Sequence, residues 1–80
     1  MSMSESFEKP WVVVKGSSNI AAYAYDEKTE ELTVKFHNGG VYTYSEVPLE
    51  LPKEWEMASS KGRYFHLVIK GKFPCRKLEE

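Results

Sequence analysis

The sequence predicts one small α+β domain, a four-stranded antiparallel sheet in a β-meander followed by one or two short helices packed on one face. Two observations carry that class. The first 45 residues hold short runs rich in β-branched and aromatic residues, separated by Gly, Ser, Asn and Asp. From Val47-Pro48 onward, apolar residues recur instead at helical spacing. Eighty residues, 41% hydrophobic and 14% aromatic, suffice for one core and leave no material for a second.

Residues 1–10 are polar apart from Phe7 and end at Pro10, reading as a flexible N-terminal leader to a single domain over 11–78. Trp11-Val12-Val13-Val14 forms the first strand and breaks at the turn cluster Gly16-Ser17-Ser18-Asn19. Ile20 to Asp26 is the second strand, and a polar connection with Asp26 opposite Glu31 leads into the third. There Leu32-Thr33-Val34-Lys35-Phe36-His37 alternates apolar with polar, which buries one face. Asn38-Gly39-Gly40 is the clearest turn, since Asn and Gly accept positive φ, and Val41-Tyr42-Thr43-Tyr44 returns as the fourth strand.

The register of that hairpin is a choice between two turns. A two-residue turn pairs Phe36 with Val41 and sends Tyr42 and Tyr44 to the face opposite Val34. A three-residue turn over 38–40 pairs Phe36 with Tyr42 and His37 with Val41. It then gathers Val34, Phe36, Tyr42 and Tyr44 on one face, because a one-residue slip flips every side chain. Tyr23, Tyr25 and Leu32 join that face, so consistent burial favours the three-residue turn.

Leu51, Trp55 and Ala58 make a helical stripe, with Pro52 tolerable only in the first turn and Gly62 placed to end the helix. Tyr64 to Ile69 reads as strand or short helix. The four-residue spacing of Phe65, Ile69 and Phe73 favours helix, and Gly71 and Pro74 stop it.

Charge is unevenly placed. The net charge is −1, but residues 1–60 carry −5 and residues 61–80 carry +4, from Lys61, Arg63, Lys70, Lys72, Arg76 and Lys77 against two glutamates. Such asymmetry points to an anionic partner. No uninterrupted hydrophobic run exceeds the six residues of Ile20–Tyr25, far below the roughly 20 that span a membrane. No membrane association is expected. One cysteine, Cys75, cannot form an internal disulfide, which favours a reducing, cytoplasmic setting.

The series Ser17-Ser18-Asn19-Ile20, Tyr25-Asp26, Leu32-x-Val34-x-Phe36-x-x-Gly39-x-Val41-Tyr42-x-Tyr44, Val47-Pro48 and Ala58-x-Ser60-x-Gly62-x-Tyr64-Phe65-x-x-x-Ile69-x-Gly71-x-Phe73-Pro74 resembles the KTSC domain over roughly residues 15–78. That family takes its name from the C-terminus of some lysyl-tRNA synthetases and also occurs as small stand-alone proteins of bacteria and phages. The resemblance implies RNA binding as the suggested role. The chain departs from the family pattern in four places: Ala24 replaces a usual glycine, Pro52 an aromatic and Cys75 a frequent tyrosine, and His66-Leu67-Val68 replaces a more charged stretch.

The expected function is a small non-catalytic binding module acting without a cofactor. Lys61, Arg63, Lys70, Lys72 and Arg76 would contact phosphates, and Tyr42, Tyr44 and Tyr64 would stack on bases. The opposing expectation for the central tyrosines is that Tyr42 and Tyr44 pack beneath the helix. The alternative function is a protein-interaction module, an adaptor or small inhibitor, with Leu67, Val68 and Trp11 as apolar anchors. Lys15-Gly16-Ser17-Ser18 is in the wrong order for a phosphate loop and precedes a strand, so its side chains should bond the turn backbone. His37, His66 and Cys75 are the soft metal ligands, but 29 and 9 residues apart they match no zinc spacing, so no metal is expected.

Overall fold

The computed structural model describes residues 11–78; the leader expected over 1–10 lies outside the described residues. Five strands form one antiparallel sheet in sequence order: β1 (Val12–Val13), β2 (Ile20–Asp26), β3 (Glu31–Phe36), β4 (Val41–Tyr44) and β5 (Cys75–Lys77). Between β4 and β5 come helix α1 (Glu50–Met57), helix α2 (Lys61–Tyr64) and a π-helical turn over Phe65–Ile69 that continues α2. The four-stranded meander is thus present, extended by a fifth strand that pairs Tyr44 with Cys75 and Tyr42 with Lys77. The first strand is shorter than its β-branched run, although Val14 still donates to the Ala21 carbonyl at 2.9 Å in register with the ladder.

Register decides which side chains meet. Asp26 stands opposite Glu31, and Tyr23 and Tyr25 stand opposite Val34 and Leu32. A bulge between Ile20 and Ala22 restores Ile20 to the same face, where it is fully buried. The β3–β4 turn has three residues, but they are His37-Asn38-Gly39 rather than 38–40. Phe36 donates to the Gly40 carbonyl at 2.8 Å and Gly39 donates to the Phe36 carbonyl at 3.0 Å. Tyr42 therefore faces Val34 rather than Phe36. Each strand has slid by one residue, parity is preserved, and Val34, Phe36, Tyr42 and Tyr44 still share a face. Gly39 takes the left-handed conformation at φ +99° that closes such a turn.

Trp55 centres the core. It is completely buried under the sheet, stacks on Tyr23 at 4.5 Å between ring centroids, and donates its indole N–H to the Lys61 carbonyl at 3.0 Å. Leu51 and Pro52 bury beside it on the same face of α1. Gly62 does not end this helix. The chain turns extended at Ala58, and Ser60 caps α2 by accepting the Arg63 N–H at 3.3 Å, so Gly62 sits within the second helix. The uncertain 64–69 stretch is helical: Phe65 and Ile69 are buried, and Lys70 donates back to the Phe65 carbonyl at 2.8 Å, the wide closure of a π turn. Gly71, at φ +76°, then releases the chain toward β5.

The reverse face of the sheet is built from small residues. Ala22, Ala24, Thr33 and Thr43 are buried there, and the two threonine hydroxyls share a hydrogen bond of 3.1 Å.

Candidate functional site

The sheet's core face is not wholly covered. Helix α1 covers Tyr23 through Trp55, which also bonds the start of α2, and toward the β3–β4 turn a groove of about 470 Å³ stays open. Its wall is aromatic. Phe36 meets Tyr42 edge-on at 5.8 Å and Phe65 edge-on at 5.4 Å, and Phe65 meets Tyr44 at 5.8 Å. Its rim carries His37 and Asn38 from the turn, and His66 and Lys70 from the π turn and its end. Among the described residues, no aspartate or glutamate lines it.

Rim groups are oriented by neighbouring backbone. The His37 Nε2 lies 3.1 Å from the Ser17 carbonyl. A carbonyl only accepts, so Nε2 is the donor in this bond. The Asn38 Oδ1 accepts the Gly40 N–H at 2.9 Å, which frees its amide nitrogen to donate outward. Tyr44 forms the floor. Burial, with smaller effects of Cys75 and Tyr42, pushes its phenol up to about 12. It therefore stays neutral at any physiological pH.

The residues expected to bind nucleic acid separate into groups. Tyr42, Tyr44 and Lys70 meet in the groove, Tyr42 half-buried in its wall and Tyr44 only 5% exposed. Tyr64 lies elsewhere: it stacks on Trp55 at 6.4 Å and donates to Glu54 at 3.2 Å, which together with burial raises its phenol pKa. Lys61 borders an adjoining recess, with its ammonium donating to the Ala58 carbonyl at 2.7 Å. Arg63 and Lys72 are exposed. Arg76 pairs with Thr43 and so points to the reverse face, where its guanidinium lies 3.5 Å from Glu31. The sheet parity that brings Cys75 into the groove turns Arg76 away from it.

The apolar anchors also differ in availability. Leu67 is 65% exposed, Val68 is half-buried against the core, and the Trp11 ring is overlaid by the Lys35 ammonium at 5.9 Å. His37, His66 and Cys75 all line the groove, yet among the described residues no three such side chains converge as metal ligands. Charge and aromatic content pointed to Tyr42 and Lys70. They gave no sign of His37 and Asn38 as rim residues, because only the turn's closure brings those two against the helical segment.

A sequence profile of the KTSC domain matches residues 16–73. A lysine–tRNA ligase of Trichormus variabilis is 48% identical over 61 residues, which is 76% of this chain and 11% of that one. A lysine–tRNA ligase of a Nostoc species is 46% identical over the same length. The chain thus spans about a ninth of those relatives. A protein of Tsukamurella paurometabola is 37% identical over 57 residues, covering 85% of its own length. Among solved structures, a KTSC domain protein of Yersinia pestis superposes with a TM-score of 0.82 at 40% identity, covering 86% of this chain and 96% of that one.

Proposed function

The chain belongs to the KTSC domain family, and from that premise we propose that it is a small non-catalytic module that binds single-stranded RNA or a nucleotide in the groove between the β3–β4 turn and the π turn. The observation that carries this reading is the groove's composition: an aromatic wall, a rim of two histidines, an asparagine and a lysine, and, among the described residues, no acidic side chain. Flat π surfaces stack on any base, at about 1–3 kcal/mol per base, while cationic rim groups hold phosphates. Two relatives support it, since each is a lysine–tRNA ligase in which the matching region is a minor part of the chain.

Binding of a labelled mixed-sequence single strand, followed by fluorescence anisotropy across a salt series, tests the proposal. Each phosphate contact contributes about −0.7 to the log–log slope, and Lys70 is the lysine that lines the groove. Lys70→Gln should flatten that slope by one contact, whereas Arg76→Gln, on the reverse face, should leave it unchanged. No binding at ~50 mM salt, where such contacts are strong, would sink the proposal.

A protein partner is the second reading, favoured by one observation: Leu67 projects from the helical segment at 65% exposure and Met57 from α1 at 86%. Leu67→Ser separates the two readings, because it should spare RNA affinity and abolish capture of a protein.

A further inference from the structure

Beside the groove lies a smaller recess of about 250 Å³, formed where the Lys15–Asn19 turn meets the Ser59–Gly62 segment. The two hollows adjoin, with Ser18, Asn19 and Gly62 in the lining of both. Gly62 keeps the boundary narrow: a methyl group there would stand 3.8 Å from the Ser17 hydroxyl oxygen.

The recess presents donors. Ser17 Oγ accepts the N–H groups of Asn19 and Ile20 at 3.3 and 3.0 Å, and Ser60 Oγ accepts that of Arg63 at 3.3 Å. Both oxygens are thus occupied as acceptors, and among the described residues neither hydroxyl donates, so two O–H groups stay available. Lys61 spends one ammonium proton on the Ala58 carbonyl, which fixes the head group and leaves two protons free. Lys15 also lines the recess, and among the described residues no carboxylate does. Two cations and two hydroxyl donors match a group of about −1.5 to −2 charge bearing three acceptor oxygens, as a phosphomonoester does. An internal phosphodiester, with one charge and two bridging substituents, matches less well.

We propose that this recess is the subsite for a terminal phosphate of the strand whose end base lies in the aromatic groove. The inference rests on the reading of the groove as an RNA or nucleotide site and adds which phosphate is read and by what. It also gives the Lys15–Asn19 turn a role that its residue order excludes for a phosphate loop. Side chains of two separate segments would hold the anion here, rather than backbone N–H groups of one loop.

The test uses the full chain and one short mixed-sequence RNA in three forms, with a 5′-phosphate, a 3′-phosphate or hydroxyls at both ends. One phosphorylated form should bind about tenfold tighter than the hydroxyl form, the worth of one charge-assisted contact. Which form does so identifies the strand end that is read. Lys15→Gln, at an exposed residue, should remove most of that preference while holding hydroxyl-strand affinity within about twofold. Lys61→Gln should do the same, with its unfolding midpoint measured in parallel because its ammonium also bonds Ala58. Equal binding of all three strands overturns the recess assignment and leaves the groove reading standing. So does a preference that survives both substitutions, or an equal loss on all three strands. Failure of every strand to bind overturns both.

Discussion

Trp55→Ala gives the most exacting test of the packing. The indole has no solvent exposure, stacks on Tyr23 at 4.5 Å and lies within 6.4 Å of the Tyr64 and Phe65 rings. A buried indole removes roughly 200–250 Å² from water, so at ~25 cal/mol per Å² its gross contribution is about 5–6 kcal/mol. The Cβ remains and the neighbours partly relax, which brings the expected loss to about 3–5 kcal/mol. A chain of 80 residues has a total stability of about 4–12 kcal/mol, so this variant should be barely folded at room temperature. Trp55→Phe separates area from hydrogen bonding. It keeps an aromatic ring among the others, and the Lys61 carbonyl retains the Phe65 N–H as a donor. Its cost should therefore be only about 1–2 kcal/mol. Urea unfolding followed by far-ultraviolet circular dichroism is the suitable assay, because either substitution deletes one of the two tryptophan fluorophores. A loss below ~1 kcal/mol for the alanine variant would refute Trp55 as the centre of the core.

Two glycines should respond with opposite sign. Gly39→Val should destabilise by more than ~1 kcal/mol from backbone strain alone, since φ is +99° and a Cβ there meets nothing within 4 Å. Gly62→Ala, in the first turn of α2 with only an ordinary 3.8 Å contact, should stabilise by about 0.5–1 kcal/mol in the same urea assay. Burial raises the phenol pKa of Tyr23, Tyr25 and Tyr64 and lifts that of Tyr44 to about 12. A phenol held neutral contributes stability that is complete below its ordinary pKa of about 10 and is lost as pH rises through the folded value. For Tyr44 that is about 2–3 kcal/mol between pH ~10 and ~12, so tyrosinate absorbance should lag free tyrosine and then rise together with unfolding. A titration complete by pH ~10 would remove Tyr44 from the groove floor.

Much of the fold could be read from the chain because its signals were local. Alternation in Leu32–Phe36, the spacing of Leu51 and Trp55, and the Asn-Gly turn each encode their own geometry. What stayed illegible depended on partners distant in sequence. Cys75–Lys77 is too short and too polar to announce a strand, and becomes one only because β4 offers an open edge. Gly62 has the composition of a helix stop, but the Ser60 cap two residues earlier restarts the helix before a stop is needed. In the site, Tyr42 and Lys70 stood out by type. His37 and Asn38 did not, since their place on the rim follows from a turn shifted by one residue and from the Ser17 carbonyl that His37 reaches. Arg76 was grouped with the lysines by charge, and only the period-two pleat of β5 shows it belongs to the other face.

The lateral strands of the sheet have a consequence of their own. Both margins are minimal, two residues at β1 and three at β5, and Arg76 and Lys77 lie on the latter. A long bare margin invites foreign strands to add themselves, and brevity together with positive charge discourages it. A domain closed off in this way is portable: joined to a much larger polypeptide, it neither captures its host's strands nor is captured by them. Both settings occur among its relatives: a similar sequence makes up about a ninth of a lysine–tRNA ligase, and a similar fold fills nearly all of one solved chain.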